Sequence, residues 1–239
     1  MSPSDWVSYF DSAASQIVDV ASQRLDATVP SCPDWSGRDL VAHIATGPDR
    51  WSLLMAVEPG GSFPPFEVLD QFQKLAPSED QALVSWAYEN ISAYAQRLHS
   101  ADPFARAWSY TPDQNMKFWM RRAALEAAVH LWDAQGLIGA DSVVPPTLAA
   151  DGLDELIDTY PVRFAMGGDT DVHPLAVHAT DATRAWTLSP PGSPDAVDRH
   201  VEGRAGDLFL RLWGRQVDAS FGGDVDVLDE WAVLAKGMG

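Results

Sequence analysis

Glu126 and His130 stand four residues apart in the run ALEAAVHLWDAQ (residues 124–135), an alanine-rich, helix-favouring stretch. On an α-helix that spacing stacks both side chains on one face, about a turn apart. They could share a metal ion, form an ordinary polar pair, or do nothing beyond solvation. Of the six histidines, His43 and His130 are the two that fall inside helical segments next to apolar positions, where a polar group needs a partner. Two imidazoles and one carboxylate from facing helices are enough protein ligands for a catalytic zinc ion, which keeps a fourth position open for water or substrate. Spacing alone does not decide the matter. Glu-x-x-x-His is common on helices, and buried histidines are more often hydrogen-bonded core residues than ligands. Nor is this the H-E-x-x-H motif of metalloproteases: position 125 is leucine, and Glu126 would serve as a ligand and not as a base. His99, His173, His178 and His200 fall at helix ends or in loops and strands, without carboxylates at ligand spacing, and stay outside the candidate site.

The elements that must bring these residues together can be read from apolar periodicity. Trp6, Phe10, Ala13, Ala14, Ile17 and Val20 recur at helical spacing in residues 4–26, a first helix. TVPSCPDW follows as a link, and Ser36-Gly37-Arg38-Asp39 offers a capping-box-like start to a second helix from about Gly37 to Val57. Its inward face would be Leu40, Ile44, Trp51, Leu54 and Met55, with His43 beside it. A Pro/Gly-rich connection, EPGGSFPP, and a short helix around Glu67 to Leu75 lead to a third helix, from Ser78-Glu79-Asp80 to His99. A fourth runs from about Asn115 to Gly139. Four such helices with a long connection between the second and third describe a four-helix bundle over residues 1–140. After a linker at Asp141 to Thr147 comes a helix at Leu148 to Met166 and the loop GGDTDVHP. The period then shortens: LAVHAT, RAWTLS, DRHVEG and QVDASF read as strands, GDLFLRLWG and DVLDEWAVLA as helices. Residues 147–239 therefore read as a small α+β domain.

Composition bounds the chemistry. With 239 residues, 46% hydrophobic and including ten tryptophans, the chain can fill a substantial core. A net charge of −18 repels phosphate backbones and anionic lipid surfaces, so nucleic acid and membranes are not the expected partners. No run approaches the roughly 20 apolar residues of a membrane span, and MSPSDWVSYF lacks the basic and apolar regions of a signal peptide, so a cytoplasmic protein is expected. Its single cysteine, Cys32, rules out an internal disulfide framework and a cysteine-based zinc site. Any metal must be held by histidine and carboxylate. No pattern in the sequence fixes an oligomeric state.

Two blocks, VPSCPDWSGRDLVAHIA (29–45) and MRRAALEAAVHLWDAQ (120–135), together resemble the mycothiol-dependent maleylpyruvate isomerase family, and VEGRAGDLFLRLWGR (201–215) is similar to the C-terminal part of that family. The resemblance spans nearly the whole chain in three blocks in the expected order. It implies a DinB-like four-helix bundle followed by a small α+β domain, with zinc held by His43, Glu126 and His130. It also implies a low-molecular-weight thiol, mycothiol, as cofactor or co-substrate, and a small-molecule electrophile as partner. In the family's namesake reaction the thiolate adds to the double bond of maleylpyruvate, the new single bond rotates, and elimination gives the trans isomer while arginines hold the carboxylates. Two positions depart from the family, Leu125 and Leu131, where relatives commonly carry a histidine and an arginine.

Around the triad, the matching W-D-A block makes Asp133 a cofactor-binding residue, or alternatively one that orients a ligand. Arg121 and Arg122 precede the pair by about one turn; either could clamp a carboxylate, and Arg122 is assigned to cofactor binding. The resemblance also implies that the second domain supplies a catalytic arginine over the metal cleft; Arg211 and Arg215 are the candidates, and the sequence does not choose between them. Cys32 precedes a helix start, where a thiolate is favoured, but its proline-bounded loop also suits a buried structural role. Trp35, Trp51, Trp119 and Trp132 read as bundle core, with one able to line a cleft. Three functions follow: a mycothiol-dependent isomerase or S-transferase, a hydrolase using zinc hydroxide, and a non-catalytic binding or regulatory module on the same scaffold.

Overall fold

Two serines set where the first helices begin. In the computed structural model, which describes residues 1–58, 68, 71–165, 171–193 and 197–235, Ser2 and Ser36 each form a reciprocal capping box with an aspartate three residues on, Asp5 and Asp39. The helices they start are α1 (Pro3–Ala21) and α2 (Gly37–Met55). Next come α3 (Asp80–Ser100), whose first amides are bound by the Glu79 carboxylate, and α4 (Met116–Gly136). These four form the bundle, and α1 packs against each of the others. The core is filled by Phe10 and Ile17 of α1, Leu40 and Ile44 of α2, Leu83 and Ile91 of α3, and Trp119 and Leu125 of α4.

Between α1 and α2 the structure has more order than a link. A 3-10 turn (Ser22–Arg24) is followed by a hairpin of β1 (Thr28–Val29) and β2 (Cys32–Ser36), paired antiparallel with Thr28 opposite Ser36 and Val29 opposite Cys32. Gly37 opens α2 against that turn. Its amide donates to the Ala27 carbonyl at 2.9 Å, and a Cβ at this position would lie 2.5 Å from the Arg24 carbonyl oxygen. Of the short helix expected over Glu67 to Leu75, a 3-10 turn at Phe72–Leu75 is seen; most of the rest, like most of EPGGSFPP, lies outside the described residues.

The chain divides into two units, Met1–Ser142 and Val143–Gly239. The second begins with α5 (Pro146–Ala165) and holds a sheet of order β4-β3-β5-β6: β3 (Leu175–Ala179), β4 (Ala185–Leu188), β5 (His200–Gly203) and β6 (Gly222–Gly223). β3 and β5 are parallel and the other pairings antiparallel. Helices α6 (Ala205–Leu212) and α7 (Val227–Ala235) complete the unit. The expected strands LAVHAT, RAWTLS and DRHVEG are present. QVDASF is not a strand; pairing falls just beyond it, at Gly222 and Gly223. A Cβ would meet the Glu202 side chain at 2.7 Å in the first and the His200 carbonyl at 2.1 Å in the second, where φ is also +81°. Only glycines approach β5 that closely. Among the described residues no helix is long and apolar enough to cross a membrane.

Because the Gly37 contact is with backbone on both sides, Gly37→Ala should lower the unfolding free energy by about 1–3 kcal/mol, read as an earlier midpoint in urea denaturation.

Candidate metal centre

α4 is buried on nearly every side, and its polar side chains have to satisfy one another. Glu126 and His130 lie on one face of it, and α2 brings His43 to the same place. Oε1 of Glu126 is 3.0 Å from Nε2 of His43 and 3.2 Å from Nε2 of His130. The three side chains are buried, with 5%, 2% and 5% exposure for His43, Glu126 and His130. One donor atom from each falls within 4.8 Å of the others, and this is the one such cluster of His, Cys, Asp or Glu among the described residues. Bonds of about 2.0–2.1 Å in a tetrahedral shell place neighbouring ligands roughly 3.3 Å apart. Glu126 stands close to that spacing from both imidazoles, so two nitrogens and one oxygen are candidate ligands for a divalent ion.

A surrounding set of residues fixes these three. The Arg122 guanidinium pairs with Oε2 of Glu126, leaving Oε1 to face the imidazoles. Asp133 is fully buried; its Oδ2 accepts from Nδ1 of His130 at 2.9 Å, and its Oδ1 accepts from the Ser31 hydroxyl at 2.5 Å. The Cys32 thiol is 3.9 Å from the same carboxylate. Trp35, on β2, lies over both rings, its centroid 4.6 Å from that of His43 and stacked at 5.6 Å from that of His130. Arg50 Nη2 lies 3.2 Å from Nδ1 of His43 and 3.4 Å from its Nε2.

Residues 10–135, more than half of the chain, match the family model described as the mycothiol maleylpyruvate isomerase N-terminal domain. The chain belongs to this family. Two solved structures share its fold, a mycothiol-dependent maleylpyruvate isomerase and a histidine-to-alanine mutant of it. Their TM-scores are 0.64 and 0.66, and each is 12% identical over 92% of both chains. No curated protein matches the sequence.

In this family member the donors are tuned in opposite directions. Burial, reinforced by the Arg50 charge, pushes His43 down to about 3, against the opposing pull of Glu126. Burial would also depress His130, but its hydrogen bonds to Asp133 and Glu126 carry it above the usual histidine value. For Glu126, burial alone would raise the carboxyl; the Arg122 charge and the two histidine hydrogen bonds outweigh it and hold the group well below the ordinary range. Metal-free, the cluster therefore favours a neutral His43 and a carboxylate at Glu126, while His130 keeps its second proton to a higher pH than an ordinary histidine does.

The other residues marked in the sequence divide by unit. Asp133 is hydrogen-bonded to His130 at 2.9 Å. Arg122 binds Glu126, and Arg121 is half-buried beside it on α4. Arg211 and Arg215 belong to the second unit. Arg211 donates to Gln216 and, at 2.7 Å, to Asp229, while Arg215 donates to the Trp213 carbonyl at 2.8 Å. Leu125 is fully buried in the bundle core and Leu131 half-buried. Trp51 and Trp119 are core, whereas Trp35 is the wall of the cluster. Sequence reading missed Ser31 and Arg50. Arg50 follows His43 by seven residues, two helical turns, and that spacing was a usable signal; Ser31 becomes visible only once the hairpin is known.

Two outcomes follow. Replacing Asp133 by Asn, which weakens the grip on His130 Nδ1–H, should cost about 10–100-fold in metal affinity, measured by competition with a chelator. In the metal-free protein, His43 stays neutral to about pH 3 while an unfolded histidine protonates near 6.5. Its contribution is thus present above 6.5 and lost as the pH falls towards 3. Glu126 adds a loss on the acid side of the ordinary carboxylate value. His130 acts oppositely, its contribution being complete below 6.5 and lost as pH rises through its elevated value. In His43→Gln the acid-side fall in unfolding free energy should be shallower than in the wild type, by up to about 1.4 kcal/mol per pH unit, in urea titrations across that window.

Proposed function

We propose that the protein is a mycothiol-dependent enzyme in which His43, Glu126 and His130 hold a zinc ion, and that it isomerises a small anionic electrophile of the maleylpyruvate type. The observation that carries this reading is the convergence of two buried imidazoles on Oε1 of Glu126, at 3.0 and 3.2 Å, inside the segment matched to the family domain. Two imidazoles, one carboxylate and an open position form a donor set that catalytic zinc uses; iron(II) uses the same set, and the resemblance of the two sequence blocks is what points to zinc. When bound, such an ion supplies the Lewis acidity that keeps a thiol deprotonated near neutral pH.

The chain's own residues account for the rest. Asp133 holds the Nδ1 proton of His130, so Nε2 presents its lone pair to the ion. Arg122 occupies Oε2 of Glu126 and prevents the carboxylate from rotating away. Trp35 walls off one side of the imidazole pair and keeps water from it. Attack of the thiolate on the electrophile's double bond forms a C–S bond and breaks the π bond. The electron pair of that bond moves onto the conjugated carbonyl as an enolate; rotation about the new single bond and return of the pair then expel the thiolate and give the trans isomer, with the thiolate regenerated. Protonation of the enolate by solvent and release of the adduct before expulsion would make the same site an S-transferase. A reduced thiol cofactor and a lone cysteine both suit the cytoplasm.

Metal analysis of the wild type and of His130→Ala tests this, joined to thermal shift and turnover with mycothiol. The expected result is about one zinc per wild-type chain, a large loss in His130→Ala, and isomerisation that requires added thiol. Failure of the wild type to take up stoichiometric metal from supplied zinc would defeat the reading. Zinc uptake with thiol-independent hydrolysis would move the assignment to a hydrolase.

A further inference from the structure

Arg122 and Arg50 both reach the triad, and their surroundings differ. Arg122 pairs with a carboxylate one turn along its own helix. Arg50 instead sets Nη2 against an imidazole, 3.2 Å from Nδ1 and 3.4 Å from Nε2 of His43. A guanidinium only donates hydrogen bonds, and a neutral imidazole has a single accepting nitrogen. With Nε2–H donated to Glu126, Nδ1 accepts from Arg50 and the metal-free arrangement is consistent. With Nε2 given to a metal, the ring proton moves to Nδ1, and the contact with Arg50 becomes one of donor against donor.

We propose that Arg50 is the residue that binds a carboxylate of the anionic substrate, turning Nη2 from His43 towards it when the metal is in place. This rests on the zinc reading above. Three features of the structure support it. Arg50 lies on α2 two turns after His43, on the same face. It is half-buried, where a charge-assisted bond to a carboxylate counts for more than at the open surface. A bound ion would add its charge to those of Arg122 and Arg50 beside the cluster, a setting that suits an anionic ligand. A guanidinium also offers a carboxylate two parallel donors, which lysine cannot.

Calorimetric titration of the zinc-loaded full chain with maleate, a plain cis-dicarboxylate, tests the assignment. Arg50→Gln should keep zinc stoichiometry and melting temperature close to wild type and lose about 10–100-fold in maleate affinity. In turnover its KM for the anionic electrophile should rise with little change in KM for the thiol. Arg50→Lys, which keeps the charge without the fork, should be several-fold weaker than wild type, and it decides the question if Arg50→Gln does not fold. Maleate affinity equal to wild type in a folded, zinc-loaded variant overturns the role of Arg50 and leaves the metal site standing. Equal maleate binding with and without zinc overturns the metal-linked turn of the guanidinium. A wild type that takes up no zinc sinks both readings.

Discussion

The carboxylate of Glu126 is the contact on which the first unit turns. It sits on a helix buried nearly all round, and removing an ionised carboxylate from water costs several kcal/mol unless partners replace the lost hydration. All of its described partners are other polar side chains: Arg122 on one oxygen, His43 and His130 on the other. Each of these, once buried, needs satisfaction in turn. His130 is answered by Asp133, and Asp133 by the Ser31 hydroxyl. A single buried acid thus draws residues from α4, α2 and the β1–β2 hairpin into one network.

That requirement explains local features that would otherwise look incidental. The hairpin consists of two very short strands with prolines at 30 and 33, too small to be stable alone. It nevertheless carries Ser31, Cys32 and Trp35 to the rim of the cluster. Gly37 lets α2 begin against the turn that follows α1, and the Ser36 capping box holds that start. From there His43 is two turns into the helix and Arg50 two turns further. The bundle core, built from Phe10, Ile44, Trp119 and their neighbours, supplies the rigid frame; the capped start of α2 sets the register in which an imidazole meets a carboxylate on α4.

How far the sequence reveals this depends on the range of the interaction. Periodicity located α1–α4, and the Ser36/Asp39 box placed the start of α2 at Gly37, because apolar spacing and caps are local signals. The Glu126 and His130 pair is likewise local, four residues apart. That His43 completes it is a tertiary fact, and spacing alone could not prefer a ligand set over ordinary buried histidines; the resemblance supplied that step. The hairpin escaped notice because TVPSCPDW shows no alternation and holds two prolines. QVDASF was misplaced because its alternation suits a strand, whereas the close approach to β5 selects the two glycines after it. Asp133 illustrates the same limit. Its i+3 position relative to His130 permits an orienting bond, and only its complete burial and its contact with Ser31 separate that role from a surface-facing one.

Stability does not demand such a network. A set of apolar side chains of similar volume fills a helix interface at least as favourably as a buried ion-pair chain, since the desolvation of every charge must be recovered from pairing. α4 carries Arg122, Glu126, His130 and Asp133 in a row of spacings four, four and three, all facing partners and none facing bulk water. Apolar residues fill the remaining buried positions of the same helix, Leu125 among them. The polar row is therefore confined to the face that meets His43 and Trp35, where it holds two imidazole nitrogens and one carboxylate oxygen close together. A packing role would distribute polarity to wherever water could reach it; concentrating it in the dry interior, with each donor oriented by another residue, is the arrangement that a bound cation would use.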